Sequence, residues 1–129
     1  MPMLSPSRFS LRNLLLADAA TCAAMGLALV LGAAPLAALT GLPAALLSYA
    51  GLALLPIAAV MLLIALRPAL QPAGAWLVIA GNGAWVAASF ALLLTGWVAP
   101  TTLGIAFVVV QALAVALLAK LEHGALRAA

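Results

Sequence analysis

Charge is almost absent from this chain, and the few charged positions decide what it can become. Of 129 residues, five are basic and two acidic. Between them lie four apolar runs of about 20 residues or more, each long enough to cross the hydrocarbon core of a bilayer as a helix. Arg8 and Arg12 precede the first run, Arg67 separates the second from the third, and Lys120, Glu122 and Arg127 follow the fourth. The other two connections carry no charge. The positive-inside rule then predicts four transmembrane helices with both termini in the cytoplasm and Thr40 and Ala99 on the opposite side. The expected fold class is an all-α membrane protein: a four-transmembrane-helix bundle of two hairpins, forming one transmembrane domain over residues 1–129.

Composition supports lipid as the solvent. With 69% hydrophobic residues, 5% charged residues and a mean hydropathy of +1.36, the chain cannot cover itself with a water-compatible surface. Four spans use up nearly all of it and leave no length for an extramembrane domain. The net charge of +3 comes from dispersed side chains that form no basic patch, so lipid headgroups are the expected partner and nucleic acid is not. A lone cysteine, Cys22, excludes an intrachain disulfide, a Cys-x-x-Cys redox pair and a thiolate metal cluster. Arg8 and Arg12 ahead of LLLADAATCAA resemble a secretory signal, but Asp18 interrupts its apolar core early and the run continues to about Val30, which favours a retained helix.

Proline, glycine and threonine punctuate the chain. Residues 1–9 read as a short mobile lead, Ser10 as an N-cap, and the first helix as about 10–34, ending before Pro35. PLAALTGLP reads as an outer turn, with Gly41 as a helix stop and Pro43 as a first helical residue. The second helix covers about 43–66 and is bent at Pro56, which frees the carbonyl of Leu52. The turn RPALQPAG leads to a third helix at about 74–95, the fourth covers about 100–121, and 122–129 is a cytoplasmic tail that includes a solvated His123. Trp76 and Trp97 stand about 31 Å apart along a helix and read as interfacial anchors at opposite headgroup layers. Tyr49 reads as a further belt residue. LTGLP and LTGWVAP occupy equivalent outer turns, a similarity that fits either two hairpins related by a pseudo-twofold axis or, the favoured reading, turn chemistry alone.

Three polar side chains interrupt the apolar runs in a way that matters for function. Asp18 lies about 9 Å into the first helix, with Thr21, Cys22 and Met25 on its face. An intramembrane carboxyl is costly and turns toward protein or water. Asn82 sits between Gly81 and Gly83, which lack side chains and so permit another backbone to approach, and Trp85 and Ser89 continue its face. Gln111 faces inward from the fourth helix. Counted from the cytoplasmic helix ends, Asp18, Asn82 and Gln111 fall at one depth and form a candidate polar layer, with Asp18 shallow enough to reach interfacial water or Arg12. Small residues four apart, such as Cys22 with Gly26 and Gly83 with Ala87, allow tight helix crossings. No catalytic, cofactor-binding or metal-ligating set is recognisable, because the single histidine lies in the tail and no nucleophile has a neighbouring base.

LADA in the first helix, LTGLPAALLSYAGLALLP across the second, GNGAW in the third and PTTLGIAFVVVQALAV in the fourth resemble small bacterial inner-membrane proteins with four helices and no assigned activity. That resemblance covers nearly the whole chain and implies location and architecture. In layout the chain is also similar to small multidrug-resistance transporters, short four-helix proteins with an acid in helix one; that acid is a glutamate in another motif there and Asp18 here. Two functional expectations follow. The first is a non-enzymatic membrane protein acting by helix packing, as an accessory or assembly partner or as a homo-oligomer. The alternative is a small transporter or proton-coupled channel using Asp18.

Overall fold

A computed structural model describes residues 6–128, with side chains described for 11–127. The described residues form five helices and no strand: α1 Pro6–Leu31, α2 Ala33–Thr40, α3 Ala44–Ala65, α4 Pro72–Leu94 and α5 Thr102–Ala128. Four are long and apolar enough to cross a membrane, over Leu11–Leu31, Ala44–Ala65, Pro72–Leu94 and Thr102–Arg127. Their outward faces carry bare leucine, valine and tryptophan, with Leu63 67%, Val110 64% and Leu94 85% exposed. Such a surface fits hydrocarbon and does not fit water.

Two boundaries differ from the sequence reading for reasons of local hydrogen bonding. PLAALTGLP is not a turn: all of it up to Thr40 belongs to α2, and Pro35 lies in that helix's first turn. There the missing N–H costs nothing, since the first N–H groups of a helix have no intrahelical acceptor. Gly32 marks the break between α1 and α2, but its N–H still donates to Ala28 O at 2.8 Å and its carbonyl accepts from Leu36 N at 2.9 Å, so the helical path is hardly interrupted. Gly41, with φ 73°, ends α2 in the left-handed conformation and donates its N–H to Ala37 O, the expected stop. The second difference is at the C-terminus. The expected tail is helix, because Lys120 to Ala128 are mostly good helix formers and the inward spacing of α5 continues through Glu122 to Leu126. Of the expected lead, residues 1–5 lie outside the described residues, and 6–9 are already helical.

Packing is uneven. The most extensive contact is α1 on α3, followed by α4 on α5, and α1 on α5 joins the two pairs; α3 and α4 are consecutive yet barely touch. The α1–α3 crossing is made at Gly26 and Gly51, where an added Cβ on Gly51 would lie 2.7 Å from the Gly26 carbonyl oxygen. A second close approach joins the two pairs at the other end. Thr101 donates its N–H to Thr40 O and its hydroxyl to Leu39 O, both at 2.8 Å, and Gly104 leaves room for the Thr40 carbonyl. Thr101 also accepts from Gly104 N at 3.1 Å, so one side chain caps α5 and fastens α2 to it. Gly81 and Gly83 do not mediate an approach: no heavy atom lies within 4 Å of where their Cβ atoms would stand.

Buried apolar side chains form two clusters. One, at the end that bears Arg12 and Arg67, contains Leu11, Leu15, Ala19, Met61, Ala65, Ala75 and Val78. The other contains Leu29, Ala33, Leu42, Leu47, Leu54 and Val108. The intramembrane polar groups lie between and beside them.

Candidate functional site: a buried pair of acids

Asp18 on α1, Asn82 on α4 and Glu122 on α5 meet inside the protein. The Asn82 amide nitrogen donates one hydrogen bond to Asp18 Oδ2 at 2.7 Å and another to Glu122 Oε1 at 3.0 Å. Cys22, one turn beyond Asp18, directs its thiol at Asp18 Oδ1 at 3.7 Å. The three residues are 1%, 4% and 0% exposed, respectively. The chain has one aspartate and one glutamate, and both belong to this cluster.

The hydrogen-bond inventory shows a shortage of donors. An asparagine amide has two N–H groups, and both are used. Four carboxyl oxygens face them, and Glu122 Oε2 is buried without any partner. No cation makes up the difference among the described residues. Arg12, with interfacial water one of the two expected partners of Asp18, instead caps α3: Nη1 donates to Ala65 O and Arg67 O at 2.8 Å each, and Nη2 to Pro68 O at 3.1 Å. Those carbonyls end a helix, where a planar guanidinium both satisfies them and complements the helix dipole. Lys120 is exposed, and His123 packs edge-on against Trp76 with ring centroids 5.2 Å apart, so it is not the solvated tail residue of the sequence reading.

Gln111 belongs to a different network. Its Oε1 accepts from Trp85 Nε1 at 2.9 Å, and its Nε2 donates to Ser89 Oγ at 2.9 Å and Val108 O at 2.8 Å. Ser89 in turn donates to Trp85 O at 2.8 Å, so the group closes on itself. The expected single layer of Asp18, Asn82 and Gln111 is therefore two groups, which take successive positions of one α4 face. The discrepancy traces to the end of α5. Measured from Ala128, Gln111 stands about 25 Å along the helix and Glu122 about 9 Å, so Glu122 takes the level expected for Gln111. Glu122 was hidden by its place in a presumed tail, although it continues the seven-residue spacing of Val108 and Val115.

Clefts border both groups. Asp18 and Gln111 lie on the wall of one of about 570 Å³ beside α5, lined mostly by apolar side chains including Leu54, Trp85 and Val115. A second, of about 330 Å³, occupies the gap between α3 and α4 and reaches Cys22 and Asn82. Of the expected anchors, Trp76 is 49% and Trp97 82% exposed, the latter beyond the end of α4. Among the described residues no three His, Cys, Asp or Glu side chains are placed to hold a metal ion. The arrangement brings two carboxyls to one amide and leaves one carboxyl oxygen without a donor. No family model, curated protein or solved structure matches the chain.

Proposed function

We propose that this is a non-enzymatic protein of the bacterial inner membrane, a four-helix bundle with both termini in the cytoplasm, acting by helix packing as an assembly partner or homo-oligomer. One observation carries this reading: Asn82 and Ser89 of α4 and Gln111 and Glu122 of α5 turn inward onto their own chain, while α4 presents an uncovered face of small residues, Ala80, Gly83, Ala84 and Ala87. Small residues let a neighbouring helix approach closely in lipid, where packing replaces the hydrophobic effect as the driving force. The location of Arg12, Arg67 and Lys120 at one end supports the orientation. Extraction into lipid nanodiscs followed by native mass spectrometry tests the assembly. The wild type is expected to carry a second copy or a stoichiometric membrane partner, and Gly83→Leu with Ala87→Leu to lose it. A wild type that is monomeric and alone in the native membrane overturns the reading.

The position of Asp18 on the wall of a cleft of about 570 Å³ favours a second reading, a small proton-coupled transporter or channel. Proteoliposomes under a pH gradient distinguish the two. Transport predicts a flux that Asp18→Asn abolishes without altering assembly, and packing predicts none.

A further inference from the structure

We propose that Asp18 and Glu122 form a single-proton binding site, one proton being held between the two carboxyls while Asn82 clamps both. The inference goes beyond the packing reading and does not depend on it.

Both carboxyls are withdrawn from water, and together they receive two N–H donors and one weak thiol donor, all on three of their four oxygens. The fourth, Glu122 Oε2, is fully buried and has no donor. Two negative charges side by side in an apolar interior repel strongly, and an oxygen buried without a donor, as Glu122 Oε2 is, is itself expensive. One added proton answers both problems: it removes one charge and creates the missing O–H donor, with the neighbouring carboxyl as its acceptor. A second proton is not required, because the remaining carboxylate accepts from Asn82 and from that O–H.

The surroundings contain nothing that competes for the proton. On α1, Cys22 offers only a thiol, and Arg12 is engaged by the carbonyls at the end of α3. The helix α3 packs apolar side chains such as Met61 against this region and brings no titratable group to it. From α4 comes the neutral Asn82. On α5 the neighbour His123 is turned to Trp76, and Lys120 is exposed. Clefts border the site, one at Asp18 and another at Asn82.

The test is infrared spectroscopy of the full chain in nanodiscs, with carbon-13 in the side-chain carboxyls to separate them from lipid esters. Because the chain has only these two acidic side chains, any protonated-carboxyl band shifted by the side-chain label belongs to this pair. The expected result at neutral pH is one protonated, deuterium-sensitive carboxyl per chain. Glu122→Gln should reduce it to none, since the new amide supplies the donor that the proton supplied, and Asp18→Asn with Glu122→Gln must show none. No protonated carboxyl in the wild type, or two, overturns the proposal, and this measurement needs no variant to fold. A band that survives unchanged in Glu122→Gln also overturns it, because the proton would then belong to Asp18 alone.

Discussion

Gly51→Leu should separate α1 from α3 and leave the protein unable to assemble. At this crossing a Cβ on residue 51 meets the Gly26 carbonyl oxygen at 2.7 Å and side-chain atoms of Leu29 and Val30 at 2.9 Å. The first of these is backbone and cannot rotate away, so even one added carbon forces the helices apart. Overpacking of a tight site costs about 1–3 kcal/mol, and a whole leucine at the most extensive helix contact belongs at or above the upper end. Gly124→Leu, at an exposed position of α5 outside the small-residue face of α4, is the control: its side chain points into open space and should not lower stability. Unfolding in mixed detergent micelles, followed by helical circular dichroism, measures both. Equal stability of the two variants would show that α1 and α3 do not meet at Gly26 and Gly51.

Asn82→Leu should cost about 2–4 kcal/mol, because it strands two buried acceptors at once. An average interhelical hydrogen bond in a membrane is worth only about 0.6 kcal/mol, so a large loss is specific to this site. The excess comes from leaving Asp18 Oδ2 and Glu122 Oε1 buried without their donor, not from the strength of two bonds. That distinction has its own consequence. Adding Asp18→Leu and Glu122→Leu to Asn82→Leu should recover most of the lost stability, as replacing a whole buried polar group by apolar side chains often does. A loss near 0.6 kcal/mol for Asn82→Leu, or no recovery in the triple variant, contradicts the donor accounting above.

Much of this arrangement was legible in the sequence because hydrophobic length and charge placement are strong signals in a chain that lacks competing ones. The four spans follow from apolar runs alone, and the stop at Gly41 follows from the conformational freedom of glycine. Asp18 and Asn82 stood out because a polar side chain in an apolar run must find a partner. The identity of the partner was not legible. Depth counted from helix ends depends on where α5 stops, and an end at about Leu121 is too early: the helix continues, since Glu122, His123 and Leu126 break no rule of helix formation. The seven-residue interval linking Val108, Val115 and Glu122 was the available clue. Arg12 illustrates a different limit. Charge attraction suggested Asp18 as its partner, whereas the carbonyls at the end of α3 offer a guanidinium three acceptors at the edge of the apolar region without requiring it to enter that region.

The meeting of Asp18, Asn82 and Glu122 is the centre of the account, and solid-state NMR in lipid can measure it as a set of distances. With nitrogen-15 in asparagine side-chain amides and carbon-13 in the carboxyls of the single aspartate and single glutamate, dipolar dephasing reads each carbon against the amide nitrogen. The geometry predicts that both carboxyl carbons lie within about 4 Å of one asparagine nitrogen, as two hydrogen bonds to their oxygens require, and that Asn82→Leu removes both signals. Dephasing of only one carboxyl, or of neither, would contradict it.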